Sequence, residues 1–273
     1  MASRPVTAGR IRVGIGGWTF PPWRGGPFYP PGLPQARELD YATAHVGAIE
    51  INATFYGRQK PASFARWAKA APPGFAFSVK ASRYCTNRKL LAEAGESIAN
   101  FFGQGLTELG DRLGPILWQF APTKQFDPDD FAAFLALLPA RQDGIPLRHA
   151  LEVRHPSFKD SGFVTLARNA GAAIVFADSD KYPAIADATA DFVYARLQNA
   201  REEEPTGYGG AALDRWAEVA RGWAAGEAPV GLDYVAAPPA PGRPRDVFLF
   251  MINGAKVRAP AAAQALVARL GDA

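Results

Sequence analysis

The sequence predicts a single (βα)8 barrel of the TIM type. Two observations predict it. Eight short runs of apolar, β-branched and aromatic residues alternate with longer amphipathic segments. That alternation implies parallel strands joined by helical crossovers, and eight such units close most simply into a barrel. The length of 273 residues fits a fold that takes about 250. A doubly wound open sheet is the alternative.

The eight predicted strands are Ile11–Gly16, Ala48–Asn52, Ala76–Ala81, Pro115–Phe120, His149–Arg154, Ala172–Asp178, Phe192–Gln198 and Asp246–Asn253. The predicted helices are Pro34–His45, Pro61–Ala71, Glu93–Leu109, Pro128–Leu138, Ser157–Ala170, Gly210–Ala225 and Pro260–Leu270. Pro61 is well placed for a first helical turn, where its missing N–H has no partner to lose. Between strands six and seven, Ser179–Asp191 is short and contains Pro183, so the helix there is expected to be short or missing. Met1–Arg10 reads as a flexible segment ahead of one barrel domain, residues 11–273. The proline- and alanine-rich stretch Ala236–Pro244 reads as a surface loop, not a boundary.

Composition narrows the class. Hydrophobic residues make up 48% and charged residues 21%, as in ordinary globular chains. One cysteine, Cys85, excludes an intramolecular disulfide and fits a reducing compartment. No apolar stretch approaches a membrane span, and the amino terminus lacks a signal-peptide core, so a cytoplasmic location is expected. Abundant alanine, arginine, glycine and proline point to a bacterial source. The net charge of +4 favours an anionic partner, but there is no basic tail.

Side chains two apart on a strand share a face. Applied to the strand ends, this groups Glu50 with Asn52, Ser78 with Lys80, Glu152 with Arg154 and Arg196 with Gln198, and adds Gln119, Asp178 and Asn253. Polar groups that end so many strands are expected to converge on the barrel axis, where each needs a partner or a ligand. Ion pairing within the barrel is the structural alternative for any one pair. The loops add Trp18, Trp23, Phe55, Tyr56, Arg83, Tyr84, His155, Tyr182 and Tyr208. Cations with aromatic rings suit a ligand that carries both an anion and a ring.

Three functional readings follow. In the first, Lys80, Arg154 and Arg196 hold a phosphorylated or nucleotide-like substrate, and Glu50 or Glu152 works as acid or base in a hydrolase or lyase, with His155 as a candidate proton shuttle. Trp18, Asn52, Phe55, Tyr56, Arg83, Gln119, Asp178 and Asn253 complete the expected binding set. In the second, the loop aromatics and arginines bind nucleic acid, in a repair role without catalysis. In the third, Glu50 and Glu152 form a glycosidase-like pair with tryptophan platforms. No cofactor is expected. The three histidines, His45, His149 and His155, have no ligand spacing. Magnesium on Glu50, Glu152 and Asp178 is conceivable by ligand type but not favoured. Cys85 has no histidine assigned beside it and is not expected to be a nucleophile.

The stretches IRVGIGGWTFPPW, AIEINATFYGRQKPASFARWAKAAPPGFAFSVKASRYCTN, LGPILWQFAP, HALEVRHPSF and FVYARLQN resemble the YecE-like family of unknown function (DUF-72). The resemblance runs from Ile11 to about Ala265. It implies a (βα)8 barrel and no established reaction. A distant likeness of that fold to metal-dependent sugar isomerases and apurinic endonucleases makes nucleic-acid processing a guess by analogy. The chain departs from the family pattern twice. Strand seven ends Arg196-Leu197-Gln198-Asn199, where the family usually has histidine and glycine in the last two places. Strand eight ends Met251-Ile252-Asn253-Gly254, with one asparagine where the family has two. If the lost histidine were the family's acid or base, this chain would be a divergent or impaired member.

Overall fold

Eight strands pair in parallel and close on themselves in the computed structural model, which describes residues 8–237 and 242–271. The strands are β1 (Ile11–Gly16), β2 (Ala48–Ile51), β3 (Ala76–Lys80), β4 (Leu113–Gln119), β5 (His149–Glu152), β6 (Ala173–Asp178), β7 (Phe192–Leu197) and β8 (Asp246–Met251). Each neighbours its sequence successor, and β1 pairs with β8 to complete the barrel. This is the (βα)8 architecture the alternation predicts. Most of the expected Met1–Arg10 segment, residues 1–7, lies outside the described residues. So does the middle of the Ala236–Pro244 loop, residues 238–241.

The outer helices are α1 (Glu38–His45), α2 (Pro61–Ala70), α3 (Gly95–Phe102), α4 (Pro128–Ala136), α5 (Ser161–Asn169), α6 (Gly210–Ala225) and α7 (Ala259–Leu270). Two short turns, Ala53–Tyr56 and Arg83–Thr86, sit directly above β2 and β3. The helix expected over Glu93–Leu109 is broken after Phe102, because Gly105 adopts φ 82° and a 3-10 run follows. The helix expected from Ser157 starts instead at Ser161. Asp160 caps it by accepting the Gly162 and Phe163 amides. A small hairpin not anticipated from the sequence pairs Arg141–Gln142 with Ile145–Pro146. Its turn, Asp143-Gly144, has positive φ at both residues, the geometry a tight two-residue hairpin needs.

No helix follows β6 among the described residues, as the short proline-containing segment predicts. Residues 179–191 form a strap pinned by side chains. The Thr189 hydroxyl donates to the Ala172 carbonyl (2.6 Å) and accepts from the Ile174 amide (3.1 Å). The Asp187 carboxylate accepts from the amides of Val235 (2.8 Å) and Ala236 (3.0 Å).

The strand pleat splits the core in two. One parity, including Val13, Ile15, Ile49, Ile51, Phe77 and Val79, packs against the helices. The other fills the barrel with Ala48, Leu117, Val175, Phe192, Tyr194, Phe248 and Phe250. Gly14 keeps this interior closed: a Cβ there would stand 2.3 Å from the Ala48 carbonyl oxygen. At the amino-terminal end, Arg12 and Arg148 each donate to Asp246 (3.2 Å) and lie over the Phe248 ring. Among the described residues no helix is long and apolar enough to cross a membrane.

Candidate functional site at the carboxyl ends of the strands

The same interior parity that carries Tyr194 brings Arg196, Glu50 and Glu152 to the top of the barrel. Arg196 is the hub. Its Nε and Nη2 donate to the two Glu50 oxygens (3.1 and 3.0 Å), and its Nη1 donates to Glu152 Oε2 (2.6 Å). The Tyr194 hydroxyl donates to Glu50 Oε2 (2.7 Å) and is itself hydrogen-bonded to Ser78 Oγ (2.8 Å). Gln119 Nε2 donates to Glu152 Oε2 (2.6 Å), while Arg154 donates through Nε and Nη2 to Glu152 Oε1 (3.1 and 3.0 Å). Every carboxylate oxygen of the pair thus accepts at least one charged donor. Such complete satisfaction is what allows two carboxylates to be buried.

The electrostatics follow from this network. Burial alone would raise the Glu152 pKa, but Arg196 and Arg154, with the Gln119 hydrogen bond, hold it down at about 2. Arg196 is fully buried, which disfavours its charge, yet Glu152 and Glu50 together raise its pKa above the usual arginine value. Tyr194 is pushed well above its ordinary pKa by burial and by the adjoining Glu50 charge.

Above this layer opens a cleft of about 710 Å³. Lys80, Arg154, Arg196 and Lys256 supply its cations; Asn52, Gln119 and Asn253 its amides; Trp18, Tyr56 and Tyr182 its rings. Glu50 and Glu152 do not line it. They lie under the floor, so the surface offered to a ligand is positive. Lys80 Nζ stands 4.1 Å from the centre of the Phe55 ring, and Lys256 Nζ 4.6 Å from that of Phe20. Among the described residues neither amine makes a salt bridge or a hydrogen bond. Lys80 is only 6% exposed, and burial lowers its pKa to about 8 against the opposing pull of Glu50. Arg154 lies 4.4 Å from the Tyr182 ring centre.

Of the residues expected from the sequence, Lys80, Gln119, Arg154 and Arg196 meet here, with Trp18, Asn52, Tyr56 and Asn253 around them and Phe55 beneath Lys80. Asn253 adopts φ 62°, and its amide donates to Gln198 Oε1 (3.1 Å). Three others are elsewhere. Asp178 shares the outward parity of Ile174 and Phe176, and accepts from Asn199 (3.2 Å). The error came from treating the last residue of β6 as interior, when the interior parity there is Ala173, Val175 and Ala177. Arg83 is exposed and lies over Tyr84. His155 caps a 3-10 turn, its Nδ1 accepting from the Ser157 amide (3.2 Å), and does not line the cleft. The conceivable but unfavoured magnesium set of Glu50, Glu152 and Asp178 does not converge, and among the described residues no cluster of three or more acidic, histidine or cysteine side chains is arranged to hold a metal. Lys256 was missed. Its signal was a basic residue, with Arg258 close behind, in the loop after the last strand, where this fold gathers ligand contacts. Cys85 is buried, and that burial pushes its thiol up to about 12, so it is inert.

Residues 12–273 match the family model described as protein of unknown function DUF72. The curated relative UPF0759 protein YunF from Bacillus subtilis (strain 168) is 27% identical over 153 residues, 54% of this chain and 52% of that protein, so the match spans about half the relative's length. A crystal structure of a DUF72 family protein from Thermotoga maritima MSB8 is similar with a TM-score of 0.66 and 24% identity, covering 94% of this chain and 96% of that one. Another, from Enterococcus faecalis V583, has a TM-score of 0.67 and 16% identity, covering 96% and 97%. At these identities the structural likeness is one of fold.

Proposed function

The chain belongs to the DUF72 family, named for its unknown function, and we propose from its own cleft that it binds a small phosphorylated or nucleotide-like anion and acts on it as a hydrolase or lyase. One observation carries this reading. Four cations line the cleft, while the two nearby carboxylates sit beneath the floor with all their oxygens engaged. Lys80 and Lys256 are the cations left without a carboxylate among the described residues, so an incoming anion is their natural partner. Tyr56, Trp18 and Tyr182 offer faces for a ring or sugar. Burial brings the Lys80 pKa down to about 8, which suits it to proton transfer.

A glycosidase-like pair loses its support. A general acid must reach the leaving group, and Glu152 is held ionised under Arg196 and Arg154. Nucleic acid keeps one favourable observation: Tyr56 and Tyr84 are 69% and 63% exposed on neighbouring loops, with Arg83 over Tyr84.

Calorimetric titration with inorganic phosphate and a nucleoside monophosphate tests the proposal. Binding is expected to weaken about tenfold in Lys256→Ala, as for the loss of one charge-assisted contact worth about 1.4 kcal/mol. Absence of binding at low salt rejects the reading. Affinity for single-stranded DNA that falls steeply with salt, without affinity for the small anions, transfers support to the nucleic-acid alternative.

A further inference from the structure

We propose that Lys80 is a covalent nucleophile, and that the anion this cleft takes carries a carbonyl group with which the Lys80 amine forms an imine. The inference rests on the anion-binding reading and deepens it by naming the substrate class: a ketone or aldehyde that also bears a carboxylate or phosphate.

Four features of the site carry it. First, Lys80 stands at the carboxyl end of β3 and lines the cleft, and among the described residues no carboxylate pairs with it. Second, the side chain is fixed. The residue is 6% exposed, the Phe55 ring lies 4.1 Å from the amine, and the side chain belongs to the cleft lining. Third, Lys80 is not the only cation open to the anion. Lys256 lines the same cleft without a carboxylate partner among the described residues, and Arg154 gives Glu152 only its Nε and Nη2. A lysine present only for charge would be best kept fully protonated, whereas burial among Arg196 and Arg154 works against its charge. Fourth, the product charge is provided for. The charged groups facing Lys80 are Glu50, Glu152, Arg196 and Arg154, and the two carboxylates attract a cationic iminium at this position.

The step balances without a further reactant. The nitrogen lone pair attacks the carbonyl carbon, forming the C–N bond, and the carbonyl π electrons move to oxygen, which takes up a proton. The resulting carbinolamine expels that oxygen as water. The two hydrogens lost from the amine are those of the water, and the C=N bond replaces C=O. The positively charged form of the imine then draws electrons from the neighbouring carbon–carbon or carbon–hydrogen bond, which is the chemistry of a lyase.

The test uses the full chain with pyruvate as the carbonyl anion and borohydride to reduce any imine, followed by intact mass and peptide mapping. One adduct, at Lys80, is expected, with labelling suppressed by inorganic phosphate. Labelling spread over surface lysines, or a Lys80 that stays unmodified with both pyruvate and glycolaldehyde phosphate, overturns the inference. Lys80→Arg keeps the charge and is expected to retain phosphate binding while losing the adduct. Should that variant not fold, the wild-type pH profile decides: modification at Lys80 should rise to half its maximum near pH 8, and a rise only near pH 10 overturns the proposal. Phosphate that binds without any adduct at Lys80 removes this inference alone. Phosphate that does not bind removes the anion reading and this inference with it.

Discussion

Glu152 ties the cleft floor together without lining the cleft itself. Its two oxygens anchor Arg196, Arg154 and Gln119, three of the groups that shape the cleft floor. Glu152→Gln removes the one carboxylate paired with Arg154 and one of the two paired with buried Arg196, and a loss of about 3 kcal/mol in folding stability is expected by denaturant titration. The pH dependence has a definite sign. The folded pKa of about 2 lies below the ordinary value of 4.5, so the ionised form stabilises the fold. That stabilisation is complete above pH 4.5 and fades as pH falls towards 2. The difference between wild type and Glu152→Gln should therefore narrow on acidification; a constant gap from pH 7 to pH 3 contradicts it. At this scale the sequence was informative about identity and less so about direction. Parity alone aligned Glu50, Lys80, Glu152 and Arg196, yet nothing in their spacing revealed that the carboxylates lie below the cations. That ordering depends on the reach of Arg196 across three strands. His155 was legible as a histidine in the right loop, but its capping bond to the Ser157 amide is local and turns on φ/ψ values that composition does not fix.

Among the elements, the strap between β6 and β7 is the most unusual. A crossover without a helix must satisfy its backbone some other way, and Thr189 and Asp187 do so. Thr189→Val keeps the shape but strands the Ile174 amide and the Ala172 carbonyl. A cost of about 1–3 kcal/mol is expected, with faster hydrogen exchange at Ile174. Unchanged exchange there would show that the strap is held by packing instead. The absence of a helix could be read from Pro183 and the shortness of the segment. Its pins could not, because each joins residues that only the closed barrel brings together. Helix boundaries slipped for a related reason. The apolar period continues through Phe101 and Phe102 to Leu106 and Leu109, but Gly105 takes a left-handed turn that period alone does not register.

For the whole molecule, the eightfold alternation was enough to give the closed parallel barrel, since topology rules leave few other ways to arrange so many crossovers. The two ends of that barrel are chemically distinct. Ion pairing at the amino-terminal end is structural: Asp246 accepts from the Arg10 amide (3.0 Å), Arg12 and Arg148, and although burial opposes it, these donors hold its pKa below the usual carboxylate value. Asp246→Asn is expected to lower stability by about 1–2 kcal/mol and to leave phosphate affinity unchanged, as calorimetry on the folded variant would read. A large change in affinity would mean that the two ends communicate through the barrel.

The packed rings of Phe192, Tyr194, Phe248 and Phe250 have a consequence for traffic. With the bore filled and its far end clamped, whatever enters must leave by the doorway through which it came. A guest of the cleft proposed above would therefore be limited by its bulk at that one mouth, and not by the length it could thread.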